Sequence, residues 1–356
     1  MEGLTERQKF ILTLVIHEFT RSAIPVASQT LVKRYHLDLS PATVRNEMAV
    51  LTELGYLRKP SKVAGSVPTE EGYRFFVGRL LRDTVLPEPE QRTISHQFYQ
   101  MRQDMGQWIR LAASVLAYQA RALSLVTAPH PVDVRLRHLE LISTRGREIL
   151  MIVVLSGGDV RQKIISSEAP IPQDQLSAIA QRLTHLMQGG DLTAIRVSAT
   201  QLTGFDQMVA ASLVEEMEDV ERSTTGEVFL DGVSHVLSEP EFAGSEDALR
   251  AIQLLEERSL LQDLVARSMV SERVGGVQVL IGGEGTREEL RPFSMVLANY
   301  GAPGYMTGTL GVLGPMRMSY GRSISVVRFL SNLLSNMVTE TIADDISTYS
   351  EEVEEE

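Results

Sequence analysis

Residues 40 to 55 read SPATVRNEMAVLTELG, a stretch with the marks of a short, sharply bounded helix. Ser40 is placed to cap it, Pro41 sits at the first helical position where a missing N–H costs nothing, and Gly55 stands where a helix ends. Val44, Met48, Leu51 and Leu54 recur at helical spacing, so the pattern predicts an apolar stripe packed inward. The opposite face then carries Ala42, Thr43, Arg45, Asn46 and Ala49. Small residues let such a face enter a groove, and Arg and Asn are side chains that read base edges with two hydrogen bonds at once.

Working outward, Thr5 and Gln8 form a capping-box pattern that opens a helix with Phe10, Ile11, Leu14 and Val15 on its apolar side. A turn at Pro25 leads to a second short helix, with Ser28 as the expected cap and Leu31, Val32 and Tyr35 directed inward. After Gly55, Tyr56 to Pro60 reads as a strand and Ser61 to Ser66 as a turn. A return through Val67 reaches Thr69, placed to cap a helix that begins Glu70-Glu71. Three helices followed by a basic hairpin predict a winged helix-turn-helix. In it Arg45 and Asn46 read bases, Thr43, Lys59 and Lys62 mainly hold phosphates, and Ser40 and Ala42 complete the contact face. The pattern by itself leaves two partners open, since winged helices bind DNA or only protein.

Composition narrows the field. At 356 residues the chain is long enough for two or three domains. Its 43% hydrophobic and 22% charged residues are those of a folded globular protein, which excludes low-complexity and disordered classes. The absence of cysteine removes disulfide frameworks, cysteine-bound metals and thiol catalysis together. The start MEGLTERQKF lacks a secretory pattern, and the apolar run Ile149 to Leu155 is far too short to span a bilayer, so a cytoplasmic protein without membrane partners is expected. The net charge of −12 is unevenly spread. Residues 1 to 82 hold 12 Lys and Arg against 8 Asp and Glu, and the remainder holds 22 against 38. A phosphate-binding surface therefore belongs at the N-terminus.

The rest of the chain reads as mixed helix and strand. Residues 93 to 125 predict a helical stretch with Met101, Met105, Trp108, Leu111, Val115 and Leu116 on one side. Leu136 to Ser143 and Ile149 to Leu155 predict a hairpin through Thr144 to Arg147, with a third strand near Val160 to Ser166 and a helix near Gln173 to Met187. Gly189-Gly190 suggests a break, followed by polar helices at Phe205 to Arg222 and Glu246 to Ser268 around a short strand at Val228 to Leu230. Strands at Val277 to Ile281, Phe293 to Ala298 and Met306 to Leu313, then a helix from about Ser319 to Asp344, are expected to complete a sheet begun before that insert.

Catalytic chemistry finds little support. The 7 histidines, at positions 17, 36, 96, 130, 138, 185 and 235, include no helical metal-binding pair. Gly282-Gly283-Glu284-Gly285 follows a strand but lacks the Lys-Ser/Thr of a phosphate loop, so a turn is the better expectation. Gly308, Gly311 and Gly314 suggest close backbone packing, and the 14 methionines core filling. No catalytic residue, cofactor or metal is expected. Two function classes remain, a DNA-binding repressor and a regulator gated by a small ligand, with an enzyme a distant third.

The runs PVASQTLVKRYH (25–36), LSPATVRNEMAVLTELGYL (39–57), AGSVPTEEGYRFFV (64–77) and YMTGTLGVLGPMRMSYGRSISVVRFLSNLLS (305–335) together resemble the HrcA family of bacterial heat-inducible transcription repressors. The resemblance spans nearly the whole chain and is weakest from about 190 to 272. It implies an α+β multidomain chain. A winged helix occupies 1–85, a GAF-like α/β domain 93–189 and 273–346, an inserted dimerising domain 190–272, and an acidic tail 347–356. It also implies a homodimer on an inverted-repeat DNA operator ahead of chaperone genes, with the chaperonin GroEL as modulator. The family usually carries Arg after the Ala-Gly of the wing, where this chain has Ser66, and Lys62 is the candidate substitute. Strands before residue 170 are expected to pair with strands after 276, a slow pairing that would make folding chaperonin-dependent.

Overall fold

The computed structural model describes residues 3–61, 64–81, 85–101, 104–131, 134–156, 159–222, 228–242, 276–282, 290–303 and 305–354. The expected helix at Glu246 to Ser268, the glycines 283 and 285, and Lys62 lie outside the described residues. Helix and strand are mixed, as an α+β chain requires. The chain forms two compact units, the first built from Met1–Thr127, Val228–Tyr300 and Thr309–Met337, the second from Ala128–Glu227, Gly301–Gly308 and Val338–Glu356.

The first unit opens with α1 (Glu6–Ser22), α2 (Ser28–Arg34) and α3 (Pro41–Glu53). The antiparallel pair β1 (Leu57–Arg58) and β2 (Val67–Pro68) follows, then α4 (Glu70–Phe75) and a π-helical turn at Phe76–Leu80. The capping box forms as expected, with Thr5 Oγ1 accepting from Gln8 N at 3.3 Å and Gln8 Oε1 accepting from Thr5 N at 3.0 Å. Ile11, Leu14 and Val15 are buried against α2 and α3, whereas Phe10 is exposed. At α2 the cap is Ala27 without a side-chain bond, and Ser28 is a buried first residue of the helix, because the turn after Pro25 places the chain one residue earlier than expected.

Two polar clamps hold the three helices. Glu18 is buried and accepts from Arg34 Nη1 at 2.7 Å, with Arg21 at 3.5 Å and the Tyr35 hydroxyl at 3.4 Å. A carboxylate taken out of water needs such hydrogen-bond partners. Glu47 of α3 accepts from Gln8 Nε2 at 3.2 Å and lies 3.5 Å from Arg7, so α1 and α3 are tied at their other end.

The expected helical stretch at 93–125 is two helices, α5 (Glu88–Tyr99) and α6 (Met105–Ala120), divided before Asp104, whose carboxylate caps α6 through Gln107 N at 3.1 Å. Its last residues belong instead to β3 (Leu123–Thr127). After the two-residue β4 (His130–Pro131), the second unit holds β5 (Leu136–Ser143), β6 (Glu148–Leu155) and β7 (Val160–Ser166), then α7 (Gln173–Met187), α8 (Leu192–Ala199) and α9 (Gly204–Arg222). The chain returns to the first unit with β8 (Val228–Asp231), α10 (Val233–Leu237), β9 (Val277–Ile281), β10 (Phe293–Ala302), β11 (Met306–Pro315) and α11 (Tyr320–Glu354). Helix α11 thus continues through most of the expected acidic tail, to Glu354.

Sheet topology bears out the expected pairing of strands before residue 170 with strands after 276 for β3 and β4, which both join β11, and corrects it for β5 to β7. The sheet of the first unit runs β8-β3-β11-β10-β9, with β4 on β11, while β5-β6-β7 is a separate antiparallel sheet. Strands β5 to β7 pair with themselves because tight turns join them, Ile149 facing Ser143 on one side and Ile165 on the other. The segment between β3 and β8 is the insertion: those two strands pair directly, Leu125 opposite Leu230. The expected boundary at 189/190 falls inside the second unit. Gly189 donates to Leu136 O at 2.7 Å, and Gly190 O accepts from Leu136 N at 3.2 Å, so the glycines bind β5 and do not separate domains.

Each unit has its own core. In the first, Leu123, Leu125, Phe293, Met295, Leu297 and Leu313 pack with Phe242, whose ring stacks on Phe293 at 4.8 Å. Gly311 is needed there, since a Cβ would stand 2.5 Å from Val296 O and 2.4 Å from Leu297 Cδ2. In the second, Leu139, Leu141, Ile149, Met151, Val153 and Leu155 face Leu176, Leu183, Leu213 and Met217 of the helices. No helix among the described residues is long and apolar enough to cross a membrane.

Candidate nucleic-acid interface

Helix α3 is positioned from beneath by Val44, Met48 and Leu51, all buried. Leu54, expected in the same stripe, is 52% exposed, because the helix ends at Glu53 and the chain already turns toward the hairpin. Ser40 Oγ accepts from Thr43 N at 3.0 Å and shares a hydrogen bond of 2.9 Å with Thr43 Oγ1. Their hydroxyls therefore build the N-terminus of the helix as well as lining it. Ala42, Arg45 and Asn46 are exposed on one face, and Ala49 half-buried one turn further on. Among the described residues, neither Arg45 nor Asn46 makes a side-chain hydrogen bond, whereas Glu47 is turned to α1 by Gln8 and Arg7.

The hairpin supplies the neighbouring cations. Leu57 is buried, Arg58 points outward, and Lys59 is exposed where the loop begins. Arg58 is absent from the expected contact set, although strand alternation after the apolar Leu57 was a usable signal. Lys33 of α2 is likewise exposed and was not expected.

Ser66 has a different role from the one its position suggested. It is 1% exposed, and it exchanges two backbone hydrogen bonds of 2.9 Å with Val26, stitching the hairpin base to the turn before α2. The departure from Arg therefore falls at a buried position. Gly65 permits the stitch, for a Cβ there would lie 2.4 Å from both the carbonyl carbon and oxygen of Val26.

Other sites compare poorly. Among the described residues no group of three or more His, Asp or Glu is arranged to hold a metal ion. A groove of about 480 Å³ between α5 and α6 is lined by Ile94, Leu111, Val115 and Tyr118 together with Glu90 and Gln119. Glu90 and Gln119 both accept hydrogen bonds from Arg322, and Thr93, Gln97 and Ser114 complete the polar part of the lining.

A family model described as the HrcA protein C-terminal domain matches residues 106–324. A curated heat-inducible transcription repressor HrcA from Roseiflexus castenholzii is 41% identical, over 98% of this chain and 98% of that protein. The chain belongs to the HrcA family. HrcA repressors of the same description from Chloroflexus aggregans, 41% identical over 95% of this chain and 93% of that one, and Dehalococcoides mccartyi, 33% identical over 95% and 96%, extend the likeness. The crystal structure of a hypothetical protein at 2.2 Å resolution shares the fold, with a TM-score of 0.60 and 23% identity over 95% of this chain and 100% of that one. HrcA membership makes the chain a transcription regulator and not an enzyme.

Replacement of Gly65 tests the stitch. Gly65→Ala is expected to separate Val26 from Ser66, lower stability by about 1–3 kcal/mol through overpacking, and accelerate amide exchange at both partners. Unchanged melting and exchange would contradict the close approach.

Proposed function

We propose that the chain is a sequence-specific DNA-binding repressor of heat-shock genes, with its first three helices and hairpin acting as a winged helix-turn-helix. The exposed face of α3 carries this reading: Ala42 permits close approach, while Arg45 and Asn46 stand free to donate to base edges. Ser40, Thr43, Arg58 and Lys59 flank them where backbone phosphates would pass, with Lys62 adjacent in sequence. The local excess of 12 basic over 8 acidic residues supplies attraction that the acidic remainder of the chain does not. Such a repressor acts beside the chromosome, in the cytoplasm. The relatives' names point to heat induction, and on this reading the target is an inverted-repeat operator ahead of chaperone genes.

The sheet β8-β3-β11-β10-β9 with its helices is assigned as the GAF-like domain, and the dimerising insert is moved from 190–272 to 128–227. The support is the outer face of β5-β6-β7. Ile142, Val160 and Ile164 are exposed there beside half-buried Leu150, Ile152 and Val154, with Ile142, Leu150 and Ile164 aligned across the sheet by register. An apolar sheet face of this kind marks an interaction site, and two copies related by a two-fold axis would suit an inverted repeat.

Chaperonin dependence is also proposed, with its physical basis shifted. Ile149 to Leu155 folds with local partners, while the slow pairings are those of β3, across 107 residues to β8 and 182 to β11. The apolar core of the sheet supports control by folding state over control by a small ligand.

Binding of a labelled inverted-repeat duplex at several salt concentrations tests the first reading. Arg45→Ala should cost about 1–3 kcal/mol and relax one base position, whereas Lys59→Ala should weaken all sequences alike and reduce the salt slope by about 1. Equal, sequence-independent losses from both would refute the division of roles. For the dimer, Ile152→Lys with Ile164→Lys should yield a folded monomer in the ultracentrifuge, and an intact dimer would put the interface elsewhere. For the chaperonin, refolding with GroEL and ATP should raise the operator-binding fraction above that of spontaneous refolding; equal yields would remove it from the mechanism.

A further inference from the structure

One side chain of the core reaches into the DNA-reading end of the first unit. Arg317 lies in the turn between β11 and α11, and its side chain is only 11% exposed. Its Nε donates to Glu241, its Nη2 donates to Glu239 and, at 3.0 Å, to Glu241 Oε2. Its remaining Nη1 donates at 2.9 Å to the carbonyl of Thr20, in the last turn of α1. That end of a helix carries carbonyls without helical partners and a partial negative charge, so a guanidinium is well suited to it. The two glutamates hold the planar fork in orientation, and the third edge is thereby aimed at α1.

Two further contacts lie along the same seam. The rings of Tyr73 on α4 and Tyr320 on α11 meet at 5.7 Å, both almost fully buried. Arg291 approaches Glu70 at 3.7 Å, and the Glu70 carboxyl end lies close against Gly282. From the seam, α1 runs as a beam to α3, joined to it by the Gln8 and Arg7 contacts with Glu47. Arg317 thus places a cation between Glu239 and Glu241 and the negative end of α1, and its removal would take away that attraction.

We propose that Arg317 is a positioning residue for operator recognition: it sets the angle at which α3 is presented, and through that angle the half-site spacing a dimer accepts. The proposal rests on the DNA-binding reading above. It assigns spacing selectivity to a residue remote from the contact face, while base selectivity stays with Arg45 and Asn46.

The test uses the full chain and two readouts. Because the sequence contains no cysteine, Gln29→Cys on α2 and Ser114→Cys on α6 provide unique sites for spin labels. Their distance distribution should be narrow in the parent and clearly broadened by Arg317→Ala, with Arg317→Lys between them because an ammonium lacks the fork. Inverted-repeat duplexes whose half-sites are moved apart by about 5 base pairs, half a helical turn, give the second readout. The parent should lose binding by about tenfold or more on that shift, and Arg317→Ala by about threefold or less, with discrimination against a substituted base unchanged in a single half-site. If Arg317→Ala fails to fold by circular dichroism, Arg317→Lys is compared with the parent in both readouts. A distribution as narrow in the variant as in the parent overturns the proposal, whether or not DNA is bound. So does an unaltered spacing profile, or an equal loss at every spacing together with lost base discrimination. Failure of the parent to prefer any operator would instead count against the DNA-binding reading, with the spin-label distances still deciding the role of Arg317.

Discussion

Strand β3 is the constraint on which the rest of the molecule depends. It is five residues long, wholly buried, and hydrogen-bonded on one side to β8 and on the other to β11. Its polar groups are satisfied by other elements, most of them remote in sequence. Ser124 Oγ donates to Ala113 O at 2.7 Å, Thr127 Oγ1 accepts from Thr309 N at 2.8 Å, and the Tyr300 hydroxyl donates to Thr127 O at 2.5 Å. A strand with partners on both edges cannot form until the chain has returned from the inserted unit. Pairing of β3 with β8 brings the two ends of the insertion together, which allows residues 128–227 to fold around a core of their own.

The same sheet supports the N-terminal helices. Charges at the seam are arranged in opposite pairs around desolvated groups, as they are within the helical domain itself, where Glu18 and Glu47 clamp α1 to α2 and α3. The buried or half-buried polar pairs fix geometry more than they add stability, since desolvation offsets much of their attraction. Geometry is what a DNA-reading surface requires. On the proposed DNA-binding reading, Arg45 and Asn46 would discriminate bases only with α3 held steady, and the apolar stripe, the stitched hairpin and the seam each remove one freedom of movement.

The α3 region was legible because its signals are local. A cap, a proline, an apolar stripe and a terminal glycine act over one or two turns, and the structure keeps all of them except Leu54, which lies just past the end of the helix. Individual strands were legible for the same reason, their alternation being set by the pleat. The role of Ser66 was not, because the backbone of Val26 that occupies its edge is forty residues earlier in the chain. Nor was Lys33 picked out, since exposure depends on what packs nearby and not on the residue type, whereas Arg58 was within reach of the strand alternation after Leu57.

By itself the sequence determined the helical N-terminal domain, the face of α3 that bears Arg45 and Asn46, the positions of most strands but not of β3 and β4, and the family. Tertiary structure alone decided which strands share a sheet, where the insertion begins and ends, and that Arg317 reaches Thr20. The physical reason is range. Propensity, capping and periodicity are written in neighbouring residues, whereas strand partnership and helix-end capping by a distant arginine depend on closing loops of 107, 182 and 297 residues, for which adjacent sequence carries no signal.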